Sequence, residues 1–182
     1  MGVVTTLPWG RSLTVADLAA TPDDGHRYEL IDGAMIVSPA PAARHQRISL
    51  RLSVLLDNAC PPGLLVFAAP FDVVLADDTS VQPDLVVARE ADVAEANLPA
   101  APVLAVEILS PSTRLIDLNL KRERYRRAGI WSYWIVDPDG PRLTVLELRD
   151  DAYVEVADLS GDASWTAILP YEVTIVPSQL VA

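Results

Sequence analysis

One apolar run, VLAVEIL from Val103 to Leu109, constrains the fold more than any other segment of the 182-residue chain. Both faces of this run are apolar apart from Glu107, which is typical of a central strand buried on both sides. An ionised carboxylate in such a strand is unfavourable unless it is paired, hydrogen-bonded or bound to a cation. We therefore expect a sheet covered on both faces, in which Glu107 has a partner or a function.

Two segments, 42–59 and about 113–128, have the periodicity of amphipathic helices. The first carries a row of arginines beside its apolar stripe, namely Arg44, Arg47 and Arg51. The second follows hydroxyl residues that can cap it, and Gly129 stands where a left-handed C-cap belongs. A shorter helix is predicted after Thr14.

Extended runs between turn signals fill the rest of the chain. Asp32-Gly33 separates two of them, 27–31 and 34–38, and Asp-Gly between apolar runs is a strong hairpin signal. The other predicted strands are 64–68, 71–75, 85–88, 103–109, 131–136, 143–148, 153–156 and 172–176. This order predicts one α/β domain over 1–182: a mixed sheet flanked by two main helices, with an N-terminal hairpin and a C-terminal antiparallel meander ending in 172–176.

Charge excludes one class of protein. A net charge of −11 argues against a protein that coats nucleic acid non-specifically, because such binding sums the neutralisation of phosphates by basic residues. The bases are nevertheless concentrated, since 108–130 holds six of them against two acids, whereas 71–107 holds eight acids and one arginine. Basic helices can still follow a phosphate backbone, and the predicted contacts are Arg44, Arg47 and Arg122.

The residue types also limit location and metal chemistry. No stretch approaches 18 apolar residues, and the first ten residues lack the layout of a signal peptide, so we expect a cytoplasmic protein without a membrane partner. The single Cys60 excludes an internal disulfide, and two histidines leave little for a histidine-rich metal centre. Any metal must be held mainly by carboxylates.

Two carboxylates lie on or beside predicted strands. Asp84 follows Pro83 and directly precedes the run 85–88, so its side chain is placed at a strand end. Taken alone, Asp84 is equally consistent with an acid in a turn after proline. Together with Glu107 it suggests a hard divalent ion, Mg²⁺ or Mn²⁺, which prefers oxygen ligands and keeps several waters.

Lys121 is the only lysine among fourteen bases, and it lies four residues after Asp117 on the same predicted helix face. One interpretation is a surface ion pair worth about 0.3–0.5 kcal/mol. The other is a lysine aimed back at the carboxylates and fixed by Asp117. A metal beside a lysine suits phosphodiester hydrolysis, because the ion polarises the phosphate and activates water while the ammonium offsets developing charge.

Six segments together resemble the Uma-two family, bacterial restriction-endonuclease-like proteins similar in core to the PD-(D/E)XK nucleases. They are YELIDG at 28–33, a helix containing His45-Gln46, QPDLVV at 82–87, VEILSPST at 106–113, the spacing of Asp117, Lys121 and Tyr125, and AGIWSYWIVDP at 128–138. The resemblance runs from about Leu13 to Tyr153. It implies a restriction-endonuclease-like αβββαβ core in which Asp84 is the motif aspartate and Glu107 the second acid.

The sequence departs from the nuclease motif at one position. Leu109 stands two residues after Glu107, where the motif has lysine, and the resemblance implies that Lys121 replaces it from the next helix. Glu29 and His45 also fall in the shared segments. The resemblance makes Glu29 an additional metal-binding or water-orienting acid and His45 a phosphate or water contact, against the alternatives of a solvent-facing strand residue and a helix-start residue.

The sequence thus predicts a Mg²⁺- or Mn²⁺-dependent endonuclease that acts on DNA. Asp84 and Glu107 are the predicted metal ligands, and with Lys121 they are the predicted catalytic residues. A homodimer would suit an enzyme that cuts two strands. The alternative is a non-enzymatic domain that keeps the fold and binds nucleic acid or a protein partner, and the acidic net charge favours it.

Overall fold

The computed structural model describes residues 10–22 and 24–181. Residues 1–9 lie outside the described residues. They include most of the segment on which the expected lack of a signal peptide rests. In the described ranges, no helix is long and apolar enough to cross a bilayer.

In the described part of the chain, four helices are interspersed among thirteen strands. The helices in the described part are α1 Val15–Leu18, α2 Ala43–Ala59, α3 Arg122–Ala128 and α4 Pro177–Val181, with a 3-10 turn at Glu90–Asp92 and a π-helical turn at Ile116–Lys121. The strands are β1 Arg27–Ile31, β2 Ala34–Ser38, β3 Leu64–Ala68, β4 Asp72–Ala76, β5 Thr79–Val81, β6 Leu85–Arg89, β7 Asn97–Leu98, β8 Leu104–Ile108, β9 Ser132–Asp137, β10 Arg142–Arg149, β11 Ala152–Ser160, β12 Trp165–Ala167 and β13 Val173–Ile175.

The main sheet has six strands in the order β11-β10-β9-β8-β6-β3. Only β8 and β9 pair in parallel, and every residue of β8 is buried, which confirms the predicted central strand. One face of the sheet packs against α2, whose Ile48, Leu52 and Leu56 are fully buried. The other face packs against β1 and α3, through Ile31 and Tyr125. The strand that carries Glu107 therefore lies between two apolar layers.

A second sheet, in the order β2-β1-β5-β4-β7, contains the predicted hairpin. Asp32 and Gly33 both have positive φ, 50° and 75°, as a two-residue hairpin turn requires. A side chain at Gly33 would also meet Ser12, whose Cβ lies 2.6 Å from the position of an added Cβ. The strand β5 was not predicted, and it joins the hairpin to the rest of this sheet through Leu30 and Ser80.

One prediction about the second half of the chain was wrong. The last strand does not extend the meander, because β13 pairs with β12 in a separate two-stranded sheet that packs on the α2 side of the core. Tyr171 anchors this sheet by donating a hydrogen bond to the Leu56 carbonyl at 2.8 Å. The predicted second main helix is confirmed, with the π-helical turn directly before α3. It does end at Gly129 in the predicted left-handed conformation, with φ of 76°.

Candidate functional site

The two predicted metal ligands are brought together by strand register. The antiparallel pairing of β6 with β8 sets Leu85 opposite Val106, which places Asp84 beside Glu107. The Asp84 Oδ2 atom accepts a hydrogen bond of 2.7 Å from the backbone N–H of Ile108. Asp84 and Glu107 are 2% and 1% exposed, so two carboxylates share the interior at the end of one strand pair.

Lys121 enters this interior from the π-helical turn. Its Nζ lies 2.8 Å from Glu29 Oε1, 3.1 Å from Glu107 Oε1 and 3.5 Å from Asp117 Oδ1. Lys121 is fully buried, so the interpretation as a surface ion pair was wrong. Burial alone would lower the pKa of Lys121, but the carboxylates of Glu107, Glu29 and Asp117 outweigh it and raise the pKa. The three carboxylates therefore favour the charged ammonium form of Lys121.

Glu107 is the most constrained of the acids. Its Oε1 atom accepts hydrogen bonds from Lys121 and from the Tyr125 hydroxyl, the latter at 2.6 Å. Burial nevertheless raises the pKa of Glu107 well above its ordinary value, and the negative charges of Asp117 and Asp84 add to the rise while Lys121 opposes it. The ionised form of Glu107 is thus stabilised only in part by the protein around it.

Asp84 has a different set of partners. Arg27 lies 3.2 Å from its Oδ1 atom and His45 Nε2 lies 3.0 Å from its Oδ2 atom. Burial would raise the pKa of Asp84, but the hydrogen bond and charge of His45, the charge of Arg27 and the Ile108 N–H together lower it. Asp84 is therefore held as a carboxylate.

Glu29 and Asp117 complete the group around Lys121. Glu29 is 1% exposed, so the alternative of a solvent-facing strand residue was wrong. Its Oε1 atom also accepts the backbone N–H of Gln82 at 2.8 Å, which links β1 to the segment before Asp84. Burial raises the pKa of Asp117, against the opposing effects of Lys121 and a hydrogen bond from Thr113.

A cleft of about 640 Å³, the main cleft, opens onto part of this group. Its walls include Arg27, His45, Gln82 and Asp84. Glu107 and Lys121 do not appear among the described residues that line it. The group therefore has an outer layer, Arg27, His45 and Asp84, which faces the cleft, and an inner layer, Glu29, Glu107, Asp117 and Lys121, which is sealed behind it.

The donor set favours a hard cation but does not form a complete cage. Among the residues that the structure describes, no group of three or more His, Cys, Asp or Glu side chains is arranged to hold a metal ion. Asp84 and Glu107 offer carboxylate oxygens, which suit Mg²⁺ or Mn²⁺ with water in the remaining positions. These two residues fit such an ion as a partial set of ligands.

The three predicted nucleic-acid contacts lie in different places. Arg44 and Arg47 are exposed on α2, and Arg44 bonds the Pro138 carbonyl and Asp139 beside the main cleft. Arg122 is exposed at the start of α3 and lines a separate groove of about 290 Å³. Only the arginines of α2 share an element with His45.

Two residues of the site were not predicted as functional. Arg27 contacts Asp84 and lies 3.7 Å from Glu29. It stands two residues before Glu29 on a strand, and this spacing indicates that both side chains lie on the same face. Tyr125 follows Lys121 by four residues on a helix, which indicates a shared face. These two spacings point to functional residues only when Glu29 and Glu107 are known to be buried.

Comparison with known proteins gives a family and a fold. Residues 15–177 match the model of the Uma2 family, described as "Putative restriction endonuclease". The crystal structure of "a putative nuclease belonging to DUF820 from Anabaena variabilis ATCC 29413" matches with a TM-score of 0.71 and 18% identity, over 93% of this chain and 97% of that chain. This neighbour confirms the predicted restriction-endonuclease-like fold class. No curated protein matches the chain.

Proposed function

The chain belongs to the Uma2 family, and from this premise we propose that it is a metal-dependent endonuclease that hydrolyses phosphodiester bonds of DNA. The observation that carries the proposal is the layered site, in which Asp84 lines the main cleft with Glu107 and Lys121 directly behind it. Paired carboxylates beside a fixed ammonium suit the hydrolysis of a phosphodiester, where negative charge develops on the phosphate.

Asp84 and Glu107 would hold Mg²⁺ or Mn²⁺, with water and substrate as the other ligands. Two observations support these ligands. Asp84 is kept ionised by its partners, whereas the raised pKa of Glu107 indicates a carboxylate that lacks sufficient positive charge nearby. When bound, the ion would polarise the phosphate and activate water.

Lys121 would assist the attacking water through its charge. Three carboxylates fix its Nζ atom, so the ammonium stays in one place and needs no reorganisation during the reaction. Glu29 and Asp117 are the residues that position it. Lys121 also opposes the rise in the pKa of Glu107 and so helps to keep that ligand ionised.

Arg27 and His45 would act on the substrate from the cleft wall. Both line the main cleft and both contact Asp84. Their N–H groups can donate to a phosphate as well as to a carboxylate. An incoming DNA backbone would therefore meet these two donors first.

Cleavage assays with purified protein test this proposal. Plasmid and single-stranded DNA are incubated in Mg²⁺, in Mn²⁺ and in EDTA with wild type and two variants, Asp84→Asn and Asp72→Asn. Asp72 lines the same cleft but bonds the Gln82 side chain, so it is a matched control. We expect Asp84→Asn to reduce the rate by at least ~100-fold and Asp72→Asn to keep it. Lack of cleavage by wild type on every substrate and metal would contradict the proposal.

The alternative function is a domain that binds nucleic acid or a protein partner without catalysis. The net charge of −11 and the sealed position of Glu107 and Lys121, 1% and 0% exposed, favour it. Under this alternative, wild type binds DNA equally well in Mg²⁺ and EDTA and never cleaves it. A dimer is a separate proposal, since two copies would present one site to each DNA strand, and sedimentation equilibrium measures it.

A further inference from the structure

A second compartment of about 310 Å³ adjoins the main cleft. The two share Arg27, Ala40, Pro41 and His45 as walls, so Arg27 and His45 of the outer layer lie between them. We refer to it as the hydroxyl compartment, because Ser110, Ser112 and Thr113 line it. A chain that passes the outer layer in the main cleft can therefore continue into this space.

The three hydroxyl groups form one connected cluster. Ser110 Oγ lies 3.0 Å from Ser112 Oγ and 2.9 Å from Thr113 Oγ1. Ser112 is exposed, Ser110 is half-buried and Thr113 is buried, so the cluster reaches from the surface inward. Hydroxyl protons rotate to suit the available acceptor. The cluster can thus turn its protons toward an anion without moving the backbone.

The charge of the compartment is opposite to that of the whole chain. Arg27, Arg44 and His45 line it, against the single acid Asp139. The pair of Arg44 with Asp139 is exposed, with 50% and 83% of the side chains accessible, and such pairs contribute little to stability. Arg44 can therefore exchange Asp139 for a ligand anion in a protein whose net charge is −11.

The rest of the wall is rigid and apolar. It contains four prolines, Pro39, Pro41, Pro111 and Pro138. Proline has a fixed φ and no backbone N–H, so these four positions add no donor to the compartment. Such a wall offers an apolar surface to a sugar beside a polar end for a phosphate.

We propose that the hydroxyl compartment binds the phosphate adjacent to the scissile one on the same DNA strand, with its deoxyribose against the prolines. This inference rests on the proposed function, since it takes the main cleft as the place of cleavage. Ser110 and Ser112 donate to the phosphate oxygens, and Arg44 supplies the charge.

Binding of a fluorescein-labelled single-stranded octanucleotide, followed by anisotropy in EDTA, tests the compartment without any cleavage. The variants are Ser110→Ala/Ser112→Ala, Ser112→Ala and Arg44→Ala. Thr166→Ala is the matched control, since it removes one partner of an exposed hydroxyl pair between β12 and β13. We expect Kd to rise about 10-fold for the double variant and for Arg44→Ala, the scale of one lost hydrogen bond to a charged group. Arg44→Ala should also lower the salt slope by about 0.7.

The outcomes separate this inference from the proposed function. Unchanged Kd in the double variant and in Arg44→Ala overturns the compartment even if wild type cleaves DNA. The expected Kd changes without cleavage uphold the compartment as a site for a phosphate of a DNA strand and contradict the nuclease proposal alone. If the double variant does not fold, Ser112→Ala, which loses one hydrogen bond, must still weaken binding. Inorganic phosphate is the competitor, and displacement of the octanucleotide by it at equal concentration would contradict a site for a strand.

Discussion

Asp84 and Glu107 are the same kind of group, lie side by side and are buried to almost the same degree, yet their pKa values move in opposite directions. Asp84, in the outer layer, has His45, Arg27 and the Ile108 N–H around it, and its pKa falls. Glu107, in the inner layer, has Lys121 and Tyr125 but also faces other acids, and its pKa rises.

The difference teaches that burial alone does not decide the ionisation of these acids. Burial raises the pKa of both carboxyl groups, and the outcome depends on how many donors and charges each one meets. The outer layer is balanced by its own protein partners. The inner layer holds three acids around one ammonium, an imbalance that the metal ion of the proposed function would reduce.

The largest expected effect is the loss of the ammonium that holds the inner layer. Lys121→Met should lower the free energy of unfolding by about 3–5 kcal/mol, because it leaves buried carboxylates without their partner. Urea denaturation measures the change. The neighbouring Arg122→Met, at an exposed position, should stay within about 0.5 kcal/mol of wild type.

Lys121→Arg separates the role of the positive charge from that of the ammonium geometry, since arginine keeps the charge but carries a planar guanidinium. It should recover part of the stability but little of any cleavage rate, because a planar guanidinium does not place a point charge where the ammonium lies. Equal stability of wild type and Lys121→Met would break the view that ion pairs hold the inner layer together.

A metal should stabilise the folded protein by the next largest amount. An ion that binds only the native state adds about 2.7 kcal/mol at a free concentration 100 times its Kd. Thermal unfolding in Mg²⁺ or Mn²⁺ should therefore shift to higher temperature in wild type and in Asp72→Ala, and should not shift in Asp84→Ala. The same shift in all three proteins would remove Asp84 from the metal site.

Two tyrosines provide a smaller and closely matched test. Tyr125→Phe removes a hydrogen bond to the carboxylate of Glu107, worth about 1.5–3 kcal/mol for a charged acceptor. Tyr133→Phe removes one to the backbone carbonyl of Asp117, worth about 0.5–1.5 kcal/mol for a neutral acceptor. Denaturant titration of both variants measures which one loses more unfolding free energy. A larger loss of stability in Tyr133→Phe would argue that Glu107 is not ionised in the folded protein.

The smallest effect is a difference in pH dependence between the two layers. The pKa of Asp84 is lowered by folding, so its contribution to stability is present above about pH 3.9 and is lost as the pH falls through the folded value. The pKa of Glu107 is raised, so its contribution is complete below about pH 4.3 and is lost as the pH rises through the folded value.

Urea denaturation of Asp84→Asn and Glu107→Gln between about pH 3 and pH 8 measures these opposite slopes. The stability of Asp84→Asn relative to wild type should fall as the pH rises, whereas that of Glu107→Gln should increase. Parallel slopes in the two variants would show that both acids have the same environment.

The elements with a local signal could be predicted from the sequence. Asp32-Gly33 predicted the hairpin, the apolar spacing of 42–59 predicted α2, and the apolar run around Glu107 predicted the central strand. The strand β5 was missed because two of its three residues are polar, Thr79 and Ser80, and they are buried only by pairing with distant strands.

The site could be predicted only in part for the same reason. Asp117, Lys121 and Tyr125 recur at four-residue steps, and this spacing alone places them on one face of a helix. The contact of Lys121 with Glu29 joins a helix to a strand of the other sheet, and no periodicity reports such a pairing. The π-helical turn was missed as well, because three residues at four-residue steps are also compatible with one face of an ordinary helix.

Because of the π-helical turn, the site depends on the number of residues between Asp117 and Lys121. An α-helix has 3.6 residues per turn, so each four-residue step overshoots by about 40° and three steps by about 120°. Thr113, Asp117, Lys121 and Tyr125 are nevertheless all buried, because the π-helical turn at Ile116–Lys121 takes up an extra residue. Deleting one residue between Asp117 and Lys121 would rotate the ammonium by roughly 100° from Glu107 while leaving every functional side chain in the sequence. The spacing between Asp117 and Lys121 is therefore as necessary to the site as the identity of the side chains.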